Sequence, residues 1–178
     1  MRKLILGLAV SLDGFIEGPN GEFDWCFTDQ DYGMTEFFKG VDALFIGRKS
    51  YELMQKMGED AVPGMPPLKE YVFSTTLTSC KEGAVLIREN ATAQARAIKM
   101  EEGKDIWLFG GASLTASLME VGLVDEFWLS VHPILLGSGK PLFEGLKDRV
   151  PLELIHSQTY SSGLVALTYK PKAERVIE

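Results

Sequence analysis

Apolar and polar positions along this chain fall into blocks that switch between the period of a strand and that of a helix. Lys3 to Val10 is almost wholly apolar and predicts a buried strand. The glycine-rich stretch "SLDGFIEGPNGEFDW" follows as a loop, and a helix is expected around Gly33 to Lys39, carrying Phe37 and Phe38. "DALFIG" reads as a second strand that stops at Gly47, after which Tyr51, Met54 and Met57 recur at helical spacing. "YVFSTT" (71–76) and "AVLI" (84–87) read as short strands, and Ala91 to Glu102 as a helix closed by Gly103. Ile106 to Phe109 is a short apolar run of the kind a fully buried strand shows. Leu114, Leu118 and Val121 then predict a helix with Ser113 as N-cap and Gly122 as its stop. Three strands follow, "DEFWLSVHPILL", "LELIHSQTY" and "LVALTYK", with "SSG" turning the last two into a hairpin. Strands alternating with helices, then strands alone, predict an α/β fold: a mixed, mostly parallel sheet with an antiparallel C-terminal hairpin.

The length suits a single domain spanning residues 1–178, with no repeat, linker or low-complexity tract. A net charge of −7 argues against general nucleic-acid binding, which needs a basic surface. Cys26 and Cys80 are the only cysteines, and His132 and His156 the only histidines. No metal site or disulfide framework is therefore expected, and a reduced cytoplasmic setting fits best. "MRKLILGLAV" begins like a signal peptide but reaches Asp13-Gly14 without a small-residue cleavage site, so it is read as a strand. No segment approaches transmembrane length, so no membrane partner is expected. "NAT" at 90–92 matches a glycosylation pattern but reads as a helix start, and "AERVIE" reads as a solvated tail.

Chemistry concentrates at two strand-to-helix junctions. In "WLFGGASL", Gly110 and Gly111 either serve a tight turn or let a ligand approach the main chain, with helix N–H groups ready for an anion. A Rossmann site lacks support, since G-x-G-x-x-G is absent and Asp125-Glu126 begins the next strand instead of ending it. In "LFIGRKSYE", Arg48 and Lys49 open a helix, where each cation opposes the macrodipole by roughly 0.3–1 kcal/mol. A bound anion would turn that penalty into attraction, and the arginine fork suits a phosphate. The alternative is a pair of solvated surface cations. "FSTT" ends its strand in hydroxyls, Ser74 first, that suit phosphate or ribose. Asp13 either acts on a substrate, as contact or proton source, or is the turn residue of "DG". His132 is read as structural, and Met54, Met57 and Met119 as core.

"AVSLDGFI", a Trp after the loop, "IGRKSYE", "VFS" and "WLFGGASL" occur in the order of the dihydrofolate reductase-like superfamily, which the chain resembles over nearly its whole length. "VDEFWLSVHPILLGSGKPLF" resembles more specifically the reductase domain of riboflavin biosynthesis (the RibD C-terminal domain) and its small stand-alone relatives. The resemblance implies a three-layer fold with helices on both faces of the sheet and NADPH across the strand ends. Phe109, Gly110, Gly111, Ala112, Ser113 and Leu114 would hold the pyrophosphate. Gly47, Arg48, Lys49, Ser50 and Ser74 would hold the adenosine ribose and its 2′-phosphate. Trp25 would cover the nicotinamide pocket or pin its loop, and Gly137 would approach the substrate or serve a dimer contact. Two departures stand out. The zinc-deaminase ligands of the bifunctional riboflavin enzymes are missing. The acid that protonates the pterin in dihydrofolate reductases has no single equivalent among Asp29, Asp31 and Glu36.

The reading is thus an NADPH-dependent reductase of a small heterocycle, most like a ribosylaminopyrimidine, with Asp13 as the candidate catalytic group. Reduction of dihydrofolate or another small molecule, and idle NADP binding, are the alternatives. A homodimer through the C-terminal strands is expected, with Trp128 near the seam, because Trp128, Ser130 and His132 alternate away from the core-facing Phe127, Leu129 and Val131.

Overall fold

The computed structural model describes residues 1–172, so "AERVIE" lies outside the described residues. Along the chain come β1 (Leu4–Ser11), β2 (Phe15–Glu17), α1 (Met34–Gly40), β3 (Val41–Gly47), α2 (Arg48–Met57) and a 3₁₀ turn (Gly58–Ala61). Then follow β4 (Lys69–Phe73), β5 (Val85–Ile87), α3 (Ala91–Met100), β6 (Asp105–Gly110) and α4 (Ala112–Glu120). The chain closes with β7 (Glu126–His132), β8 (Lys140–Pro141), β9 (Leu152–Thr159) and β10 (Val165–Pro171).

Eight strands form one sheet in the order β5-β4-β3-β6-β1-β7-β10-β9. All pairings from β5 to β7 are parallel, and β10 runs antiparallel to both β7 and β9, as the pattern of elements predicts. Within the central strands alternate side chains enter two cores. Leu4, Leu6, Phe45, Ile106 and Leu108 pack with Ala95 and Ile98 of α3 and Leu118 of α4. Leu44, Ile46, Val72 and Trp107 pack with Phe38 of α1 and Tyr51 and Met54 of α2. Burial on both faces is why these strands read as continuous apolar runs without polar alternation. Because six neighbouring strands are parallel, the ends of β1, β3, β4, β6 and β7 meet along one edge, the usual place for a ligand in an open α/β sheet.

Several expectations need correction. The helix after the Gly pair starts at Ala112 with Gly111 as N-cap, not at Ser113, because Gly111 keeps an extended conformation (φ −82°, ψ −170°). It ends at Glu120, where Gly122 turns the chain at φ 65° and the Leu123 N–H returns to the Leu118 carbonyl. The strand in "YVFSTT" stops at Phe73, since Ser74 Oγ accepts the N–H groups of Thr76 and Leu77 and folds the hydroxyls into a turn. The helix from Ala91 ends at Met100, short of Glu102. The glycine-rich loop contains β2, which pairs with β8 as a small second sheet.

Trp128 is also resolved differently. Its ring stacks on Phe37 of α1 at 4.5 Å and 19°, so a helix of the same chain covers it. Such stacking adds about 0.5–1.5 kcal/mol beyond area burial, and Trp128 needs no second subunit to shield it. Asp125, at the opposite edge of the sheet from the strand ends, accepts the Leu4 N–H and the buried Lys99 ammonium (2.5 Å). It is a structural clamp.

Candidate active site

The two glycine junctions that stand apart in the sequence come together in space. A Cβ added at Gly47 would lie 3.5 Å from the Gly110 carbonyl oxygen and from the Gly111 nitrogen. One added at Gly111 would lie 3.3 Å from Ser50 Oγ. Both helices entered there, α2 and α4, have glycine N-caps, no side-chain cap hydrogen bond and no acid in the first turn. Two helix starts without side-chain caps therefore lie side by side, and both dipoles favour an anion there. The Gly110–Gly111 peptide is cis and Gly110 has φ 111°, a conformation suited to glycine. Glycine-capped helix starts without side-chain caps are the chemistry that suits a diphosphate, which backbone N–H groups can receive. Leu114 flanks this cradle, its Cβ 3.7 Å from a Gly47 Cβ position, while Ser113 is exposed and Ala112 is buried. Phe109, just before the Gly pair, packs edge-on to Trp107 at 5.1 Å.

Beside the cradle, Arg48 Nη1 donates to Thr76 Oγ1 at 2.7 Å, and its Nε stands 3.5 Å from Glu52 Oε1. Ser74 Oγ lies 3.4 Å from Thr76 Oγ1, so Arg48, Ser74 and Thr76 form one polar corner, with exposed Lys49 next to it. Thr76 is a member that sequence reasoning passed over in favour of Ser74. Its position follows from the Ser74 turn, which swings Thr76 back toward α2.

On the other side of β6 lies β1, whose end carries Asp13. The Asp13 carboxylate accepts Ser11 Oγ–H at 2.6 Å, Gly137 N–H at 2.8 Å and Leu136 N–H at 3.2 Å. These hydrogen bonds, the Ser11 one foremost, hold its pKa below the ordinary 3.8, so Asp13 is an exposed, ionised acceptor at neutral pH. Ser11, which also takes the Phe15 N–H at 2.9 Å, is a second residue the sequence reading missed. A polar side chain closing an otherwise apolar strand was its signal. Gly137 is brought to Asp13 by this tether.

The loop after β2 is pinned to the end of β7. Buried His132 donates from Nδ1 to the Ser130 carbonyl at 2.9 Å and accepts the Phe27 N–H on Nε2 at 3.1 Å. Trp25 and Phe27 pack around its ring at 5.3 and 5.0 Å. Trp25 thus packs against the residue that ties the loop to β7. Of the three acids weighed for the pterin role, Asp29 accepts the Tyr32 hydroxyl, Asp31 takes Gly33 and Thr35 at the start of α1, and Glu36 pairs with Lys39. Each is already engaged. Among the described residues no group of three or more His, Cys, Asp and Glu is placed to hold a metal ion.

Burial holds the His132 pKa below the ordinary 6.5, so it is neutral in the fold. The unfolded chain takes up that proton first as pH falls, so stability is intact above about pH 6.5 and declines below it, by at most about 1.4 kcal/mol per pH unit. In thermal melts from about pH 7 to pH 5, His132→Gln should flatten this decline. An unchanged slope would assign it to other groups.

Comparison with known proteins agrees with this architecture. Residues 2–166 match the family model of the RibD C-terminal domain. The uncharacterized protein YyaP of Bacillus subtilis (strain 168) is 45% identical over 177 residues, covering 94% of each chain. The diaminohydroxyphosphoribosylaminopyrimidine deaminase/5-amino-6-(5-phosphoribosylamino)uracil reductase of Thermotoga maritima superposes with a TM-score of 0.76 at 12% identity, over 96% of this chain and 57% of that one. Dihydrofolate reductase from Enterococcus faecalis, complexed with NADP(H), gives a TM-score of 0.69 at 17% identity, over 96% of this chain and 97% of that one. The fold is that of dihydrofolate reductase, and among the described residues no helix is long and apolar enough to cross a membrane. By the match over nearly its whole length, the chain belongs to the RibD C-terminal domain family.

Proposed function

We propose that the protein is an NADPH-dependent reductase of a small nitrogen heterocycle. The observation that carries this reading is the meeting of two uncapped helix N-termini at Gly47 and Gly111, with Arg48 on the open side. NADPH, when bound, supplies a hydride to the substrate. The backbone of Gly47, Gly110 and Gly111 would receive its pyrophosphate, with Ser50, Ala112, Ser113 and Leu114 shaping the cradle. Arg48, Lys49, Ser74 and Thr76 would hold the ribose and its 2′-phosphate. Asp13, kept ionised, would accept an N–H of the substrate and stabilise positive charge on that nitrogen, which makes the adjoining carbon a better hydride acceptor. Gly137, held by Asp13, would line the same place, and Trp25 would keep the covering loop closed.

In its heterocycle the substrate would be most like the ribosylaminopyrimidine of the riboflavin reductases. Dihydrofolate is the weaker reading, because no single acid among Asp29, Asp31 and Glu36 is the equivalent of the one that protonates the pterin. Titration with NADPH, followed by NADPH oxidation across pyrimidine, pterin and flavin compounds, tests the reading. Binding without oxidation of any of them would favour an idle NADP-binding protein. Asp13→Asn should lower kcat about tenfold while NADPH affinity stays within about twofold. A fully active Asp13→Asn would reduce Asp13 to a loop anchor.

The same reading includes a homodimer, built on β9 instead of Trp128. β9 is the outer strand of the sheet, exposed from Glu153 to Thr159, with Leu154 and Ile155 about half exposed. A long open edge of this kind invites pairing with a second copy. Light scattering should give twice the 19.7 kDa of one chain at micromolar concentration, and a single-chain mass would exclude the dimer.

A further inference from the structure

The two sides of the candidate site differ in charge, and that difference narrows the substrate. Resting on the reductase reading above, we infer that the substrate is an uncharged or cationic nitrogen heterocycle that bears no phosphate. Between residues 4 and 38, which build β1, β2, the long loop and most of α1, the chain has seven acidic side chains and no Lys or Arg. The stretch 133–139 after β7 and the turn 160–163 between β9 and β10 also lack both. These three segments are in contact. Asp13 takes the N–H groups of Leu136 and Gly137, and the Tyr32 hydroxyl lies 2.9 Å from Ser162 Oγ.

A phosphate is otherwise received by backbone N–H groups. Here the chain's own carboxylates already occupy them: Asp13 on Leu136 and Gly137, Glu22 on Asn20, Asp31 on Gly33 and Thr35. The cations that flank these segments are engaged as well, Lys39 with Glu36 at 2.8 Å and Lys140 near Glu17 at 3.9 Å. A phosphate ester brought beside Asp13, or beside the exposed Asp24 or Asp29, meets a carboxylate with no Lys or Arg in the segment that carries it. What the surface does offer is apolar and accepting. Leu12 and Leu135 are 65% and 69% exposed, on loops joined by the Leu12 N–H to the Ile134 carbonyl at 2.9 Å. Phe27 adds a partly exposed ring, and Asp13 an acceptor for ring or amino N–H groups. The positive charge of the site is kept for the cofactor, at Arg48 and Lys49.

The test compares a ribosylaminopyrimidine with its own 5′-phosphate ester, by calorimetry on the NADP⁺-saturated protein. NADPH binding is measured first, and its failure would sink the reductase reading itself. With the cofactor bound, the unphosphorylated compound should bind at least about tenfold tighter, and added salt should narrow that gap because it screens the repulsion. A preference for the phosphate ester, or binding of neither compound, would overturn the inference. So would a gap that salt leaves unchanged, which would trace the discrimination to shape and not to charge.

Discussion

Gly111→Val is expected to remove NADPH binding while the protein still folds. The backbone at Gly111 is extended, a conformation that valine accepts, and the nearest obstacle to its Cβ is the Ser50 hydroxyl at 3.3 Å. Ser50 has only to shift by a rotamer, so the fold should survive. The added methyl groups would stand between the starts of α2 and α4, where the pyrophosphate is proposed to meet the main chain. Losing two charge-assisted hydrogen bonds there, at about 1.5–3 kcal/mol each, weakens binding by roughly 100-fold or more. Fluorescence titration and a thermal melt read the two properties separately. A folded variant with unchanged NADPH affinity would show that the Gly pair serves the turn alone.

Arg48→Ala is expected to separate NADPH from NADH. Arg48 reaches Thr76 at 2.7 Å and is only loosely paired with Glu52, so its fork remains open to a further anion. A charge-assisted contact to the 2′-phosphate contributes about 1.5–3 kcal/mol, so NADPH affinity should fall roughly 10- to 150-fold. NADH, which lacks that phosphate, should bind nearly as before. The half-exposed position of Arg48 makes a stability effect small, which keeps the two outcomes readable. Equal loss for both cofactors would remove the 2′-phosphate role and leave Arg48 as a general surface cation.

Much of this protein is determined by local pattern. Apolar runs such as Ile106–Phe109 give buried strands, helical spacing gives α2 and α4, and the run of strands at the end gives the antiparallel hairpin. Even the two junctions that build the cradle are visible as glycines at strand ends, since only backbone without a side chain suits such a place. Their meeting is not visible. Gly47 and Gly111 are distant in sequence, and only the parallel pairing of β3 with β6 sets them side by side. The same holds for the partners of individual residues. Asp13 reads as a turn, yet it ties the loop after β1 to the loop after β7 because those strands are neighbours. Trp128 alternates outward in its strand, but whether helix or subunit would cover it depended on where α1 packs, and Phe37 answers that. Periodicity records which face of an element is buried. What that face is buried against is set by long-range pairing, which leaves no mark within either segment alone.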